Sequence, residues 1–169
     1  MSTSLLSDAF GHHVWATLRV MDACLALTPE QLATAVPGTY GSILDTVRHT
    51  VGADAGYLFV LSGGRVHEIE EAGMDLPALR AVMVAHEPDW ASLLATNPDP
   101  DAVVTRVRDD GSRSQAPAGI RLAQALHHGT DHRSQVCTAL TTLGIEPPAI
   151  DAWDFAFKDG RLREVPPPA

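Results

Sequence analysis

The sequence predicts an all-α fold, a four-helix bundle with one small β-hairpin between its third and fourth helices. Three observations carry that prediction. Four long segments repeat apolar residues at helical spacing, Pro- and Gly-containing breaks separate them, and a single short run has strand composition followed by a turn. With 169 residues the chain has the size of one domain and enough length to bury a core. We assign 1–160 to a single helical-bundle domain and 161–169 to a C-terminal tail.

The first helix is expected over Leu5 to Leu27, with Phe10, Val14, Trp15, Leu18 and Met21 as its apolar stripe. It gives way to Thr28-Pro29-Glu30-Gln31, where Thr28 caps a short helical turn and Pro29 takes the first position. Pro37-Gly38 breaks the chain. Ser42 then caps a second helix that ends at Gly63-Gly64. Leu44, Val47, Val51, Leu58 and Leu61 form one stripe of that helix, and Ala53, Gly56 and Val60 form a small-residue stripe on another side. A helix apolar on two sides must be covered on both, which points to a second subunit and a homodimer.

The third helix starts at Asp75-Leu76-Pro77 and runs to about Ala95, with Leu79, Val82, Met83, Trp90, Leu93 and Leu94 facing the core and Pro88 expected to kink it. The hairpin follows, because Val103-Val104-Thr105-Arg106-Val107-Arg108 leads into Asp109-Asp110-Gly111-Ser112. Pro117 opens the fourth long helix, which extends to Leu143 and stops at Gly144. Trp153, Phe155 and Phe157 are expected to pack back on the bundle, and the final Pro-Pro-Pro-Ala to fray.

Composition excludes several function classes. A chain 45% hydrophobic and 20% charged is globular rather than disordered. Its net charge of −9, with basic residues scattered and Lys158 the single lysine, argues against binding nucleic acid phosphates. The apolar stretch Ile43 to Leu61 is interrupted by Asp45, Arg48, His49 and Asp54, so no membrane span is expected. No basic, continuously apolar leader is evident at the N-terminus, and Cys24 and Cys137 read as reduced, packed thiols. The cytoplasm is the expected compartment.

Chemistry concentrates in Leu126-His127-His128-Gly129-Thr130-Asp131-His132-Arg133-Ser134-Gln135. His128 and His132, four apart on a helix, present both imidazoles on one face at a spacing that can chelate a single ion. The same face carries Ala125, Val136, Ala139 and Leu143, so the pair points inward, where imidazoles need partners. That partner is a metal, a carboxylate or a water. His127 and Asp131 form a competing pair on another face, and no Glu follows the first His as a zincin motif requires. A third ligand has several candidates: His12 and His13 near the start of the chain, His67 in a loop, His86 before a proline, and His49 among the small residues of the second helix.

The run Gly38-Thr39-Tyr40-Gly41-Ser42-Ile43-Leu44-Asp45-Thr46-Val47-Arg48-His49 resembles the second-helix motif of DinB-like (DinB/YfiT) proteins. His128-Gly-Thr-Asp-His132-Arg-Ser-Gln135 resembles their last-helix motif, and His13-Val-Trp15-Ala16 and the hairpin also fit. The resemblance extends to about Phe157. It implies a metalloenzyme with a divalent ion, Zn²⁺ or Ni²⁺, on His49, His128 and His132. It further implies a small-molecule substrate and use of a low-molecular-weight thiol such as mycothiol or bacillithiol in S-transfer. Three neutral ligands leave an open coordination position, which is the mark of a catalytic site. Metal-assisted hydrolysis is the alternative activity, with Asp45 or Asp131 as the nearest candidate bases. A non-catalytic, stress-related metal-binding protein, its ion clamping the second and fourth helices, is the alternative to catalysis. Arg133 and Gln135 stand as candidates for orienting ligands or for structural hydrogen bonds.

Overall fold

Local capping chemistry sets the helix boundaries in the computed structural model, which describes residues 4–167. Helix α1 spans Leu5–Cys24, α2 Pro29–Leu32, α3 Ile43–Leu61, α4 Leu76–Ala95, α5 Ala118–Thr142 and α6 Ala152–Lys158, and a single 3₁₀ turn covers Glu71–Gly73. Ser42 and Asp75 accept from the backbone N–H groups of Asp45 and Ala78, satisfying donors that the first turns of α3 and α4 leave open. Thr28 and Gln31 complete the expected capping box on α2. Gly144, at φ 74°, takes the left-handed conformation that ends α5. Helix α1 stops three residues earlier than expected, and α4 continues through Pro88.

Strands β1 (Val103–Val107) and β2 (Arg113–Pro117) pair antiparallel, with Thr105 opposite Gln115. Arg121 on α5 fastens this hairpin to the bundle by donating from Nη2 to the carbonyls of Val104 and Ser114.

Helix α1 packs on α4 and α5, and α3 packs on the same two. The order round the bundle is therefore α1, α4, α3, α5, and α1 and α3 stand on a diagonal. Between them lies one apolar core that includes Phe10, Met21, Val51, Leu58, Leu79, Met83, Trp90, Leu122, Val136 and Leu140. Burying each such side chain contributes roughly 1.5–3 kcal/mol.

Part of the second side of α3 is covered from within the chain. The Glu71 carboxylate rests on Gly52, and the ion pair of Arg106 with Glu68, 2.7 Å long, lies over Gly56. These contacts lie on part of the face where a second subunit was expected, at Gly56 of the Ala53, Gly56 and Val60 stripe.

The C-terminal aromatic residues divide. Phe155 packs on Gly11, His12 and Trp15, whereas Trp153 and Phe157 are 69% and 64% exposed. With only seven residues, α6 has one face against α1 and cannot bury all three rings. Arg161 then pairs with Asp8 at 2.6 Å, which ties the start of the tail to α1. Pro168 and Ala169, in the segment expected to fray, and Met1 to Thr3 lie outside the described residues. Among the described residues no helix is long and apolar enough to cross a membrane.

Candidate metal centre

Helices α3 and α5 bring His49, His128 and His132 together. The Nε2 atoms of His49 and His128 are 3.0 Å apart, those of His128 and His132 are 3.2 Å apart, and the ligand atoms of all three lie within 4.8 Å of one another. Nitrogen ligands about 2.0–2.1 Å from a tetrahedral ion sit roughly 3.3 Å from each other, so the two measured edges match a shared cation. One protein turn separates His128 from His132, and His49 reaches them from the facing helix.

Neighbouring groups fix the rings. His132 donates from Nδ1 to Gln135 Oε1 at 3.0 Å, which leaves its Nε2 lone pair directed at the cluster. The same Gln135 oxygen accepts the backbone N–H of Tyr40 at 2.9 Å. Tyr40 lies flat on His49, with ring centroids 4.0 Å apart and planes 7° apart. Tyr40 itself is held in a loop braced by the Ala35–Ser42 bridge and by Thr39, whose hydroxyl bonds the Val36 and Gly41 carbonyls.

Electrostatics disfavour protonation of two of these imidazoles. Burial, then the neighbouring His132, lowers the pKa of His49, and burial, then His132 and His49, lowers that of His128 to about 4. Three ring nitrogens facing a common space at these distances suit a metal cation. The donor set therefore fits a divalent ion; three imidazoles do not by themselves select one metal.

A cleft of about 420 Å³ opens beside His49, lined by Tyr40, Asp45, Arg48, His49 and Glu71. Asp45 is tied to Ser42 Oγ at 2.6 Å and lies 3.6 Å from Arg48, as a helix-capping residue does. Asp131 is exposed. Glu71, from the 3₁₀ turn, is a cleft carboxylate that sequence reasoning missed, because only the fold of the 65–75 loop carries it to α3.

The remaining histidines are elsewhere. His12 bonds the Ile150 carbonyl at 2.7 Å, His67 and His127 are exposed, and His13 and His86 form a second buried cluster. There Asp54 of α3 accepts from His13 Nε2 of α1 at 2.9 Å, from His86 Nδ1 at 2.7 Å and from Trp90 Nε1 at 3.1 Å, the last two on α4. Arg133 of α5 completes the set by donating to His13 Nδ1 at 3.1 Å. All four long helices meet in this network. Arg133 thus takes the structural role, while Gln135 orients a histidine of the candidate centre. The signal for the network is weak in sequence: Asp54 there marks an interruption of an apolar stretch.

No individually curated protein matches this chain. A family model described as DinB family matches residues 1–163. That match spans α1 to the segment after α6, including the helices that bear all three converging histidines. The chain belongs to the DinB family.

Proposed function

We propose that this protein is a divalent-metal-dependent enzyme, a thiol-dependent S-transferase acting on a small molecule, with His49, His128 and His132 as the metal ligands and Zn²⁺ or Ni²⁺ as the ion. The observation that carries the reading is the convergence of three Nε2 atoms beside an open cleft, with no fourth His, Cys, Asp or Glu joining them among the described residues. A closed structural site would be completed by the protein; an open one admits a ligand.

A divalent ion there supplies Lewis acidity, lowering the pKa of a thiol that reaches it. Gln135 and Tyr40 hold the rings of His132 and His49 in register. Arg48, which donates from Nε to the Met74 carbonyl at 2.9 Å, places a positive charge on the cleft wall where a thiol cofactor's anionic groups can meet it. The cleft volume, about 420 Å³, falls in the range of small-molecule sites, roughly 300–1,000 Å³. Metal-assisted hydrolysis is the second reading, favoured by Glu71, a carboxylate in the same cleft that can act as a base.

Elemental analysis of the purified protein and of His128→Ala tests the metal: one divalent ion per chain in the first and loss in the second is expected. Turnover of monochlorobimane with mycothiol, bacillithiol or glutathione then tests the reaction. In that transfer a sulfur–carbon bond forms, chloride leaves and the thiol proton passes to solvent. Metal-dependent turnover with one of these thiols supports the transferase. Hydrolysis of ester substrates without added thiol replaces it with the second reading, and equal metal content in both proteins removes the basis of both.

A further inference from the structure

Helix α5 has a second chemically distinct side. At about 100° per residue, Leu126, Thr130 and Arg133 leave the helix on a different face from His128 and His132. They line a separate cavity of about 460 Å³ between α1, α5 and α6, whose walls include Ala9, His12 and Phe155. Its rim is formed by exposed residues such as Leu5 and Ala152, and the Asp8–Arg161 pair there is mutually neutralised at 2.6 Å. Its inner end is formed by His13 and Arg133, which are 2% and 4% exposed.

Arg133 is an unusual wall for an apolar cavity. Its guanidinium donates to His13 Nδ1, the Thr17 hydroxyl and the Thr130 hydroxyl, all uncharged acceptors, and no carboxylate stands within ion-pair distance among the described residues. Asp54 balances it only from the far side of the His13 ring. Burial outweighs Asp54 and lowers the Arg133 pKa to about 10. A buried cation with a neutral first layer of partners and a cavity on its open side is an anchor for an anion. The walls decide what kind: a largely aliphatic and aromatic lining with one buried cation fits a monoanion with an apolar body better than a phosphate, which carries more charge and no apolar surface.

We propose that this cavity is a second ligand site, separate from the three-histidine cluster, that takes a small carboxylate with an apolar tail, its carboxylate on Arg133 and its tail between Leu126 and Phe155. The inference does not depend on metal binding.

Octanoate is the probe, with 1-octanol as its uncharged counterpart, and binding is followed by titration calorimetry on the full chain. Octanoate is expected to bind about tenfold or more tightly than octanol, because the charge-assisted contact is lost in the alcohol. Ala156→Trp, which fills the cavity from α6 and leaves the Arg133 network untouched, is expected to abolish binding. Arg133→Gln is expected to remove the preference for the acid; where it fails to fold, Ala156→Trp decides. His128→Ala is expected to bind octanoate as the unaltered protein does, which separates this site from the metal centre. Absence of octanoate binding, equal binding of octanol, unchanged binding in Ala156→Trp, or loss of binding in His128→Ala would each overturn the proposal.

Discussion

His13 and Asp54 join across the diagonal of the bundle, 2.9 Å apart and each only 2% exposed, so that two helices with no broad contact of their own are linked through the core. Burial alone would push the Asp54 carboxyl up; hydrogen bonds from His13 and His86 outweigh it and hold the group well below the usual carboxylate range. Removing the acceptor leaves His13, His86 and Trp90 without their partner and Arg133 without its counter-charge. Asp54→Ala is therefore expected to lose about 3–5 kcal/mol of stability, measured by urea unfolding at neutral pH.

The same group sets an acid limit. Because its pKa is depressed on folding, the ionised form stabilises the fold fully above the unfolded value, about 3.9, and that contribution disappears as pH falls through the lower folded value. The stability gap between the unaltered protein and Asp54→Asn is expected to be constant from pH 7 to about 5 and to narrow below about 4. A gap that widened on acidification would show that Asp54 is not ionised in the folded protein.

Much of the candidate centre was legible in the sequence, and the reasons are local. His128 and His132 sit at a spacing that α-helix geometry converts directly into a shared face, and Ser42, Thr28 and Gly144 announce helix ends through their own backbone chemistry. His49 was one of several candidates until the family motif singled it out, since nothing in spacing alone ties residue 49 to residue 128. The Asp54 network was not legible, because its members come from four helices and the two ends of the His13–Arg133 contact are 120 residues apart. Glu71 and Tyr40 were missed as site residues for a related reason: loops deliver them.

Gln135 separates orientation from ligation. It accepts a hydrogen bond from His132 Nδ1, and it pins the Tyr40 backbone with the same oxygen. Gln135→Leu is expected to weaken metal affinity about 10–100-fold while leaving the far-ultraviolet circular dichroism unchanged. Titration of the metal-stripped protein with Zn²⁺ against a competing chelator measures this. Full retention of affinity would mean that His132 needs no orienting partner.

Tyr40 offers a smaller effect of the same kind. Its ring stacks on His49 at 4.0 Å, an interaction worth about 0.5–1.5 kcal/mol beyond the area buried. Tyr40→Ala is expected to cut Zn²⁺ affinity by about tenfold or less, and Tyr40→Phe, which keeps the ring, to leave it unchanged. If both variants lose affinity equally, the hydroxyl rather than the stack is what matters; if neither loses any, Tyr40 does not support the site.

Gly129 lies between the two polar clusters, and its substitution reverses an ordinary rule. Within an exposed helix, glycine to alanine stabilises by about 1 kcal/mol, because alanine has less backbone freedom to lose. Here a Cβ on residue 129 would overlap the His13 ring and come within 3.0 Å of Arg133 Nη1. Neither group can retreat, since His13 is bonded to Asp54 and Arg133 to Thr17 and Thr130. Overpacking of a filled core costs about 1–3 kcal/mol, and lost hydrogen bonds to charged groups add to it, so the steric penalty outweighs the helix-propensity gain. Gly129→Ala is expected to unfold at lower urea concentration than the unaltered chain. Because His128 is the adjacent residue, the backbone shift that relieves the clash is also expected to weaken Zn²⁺ binding. A variant more stable than its parent would mean that α1 and α5 can separate at this level without cost, and that the diagonal His13–Asp54 link tolerates the movement.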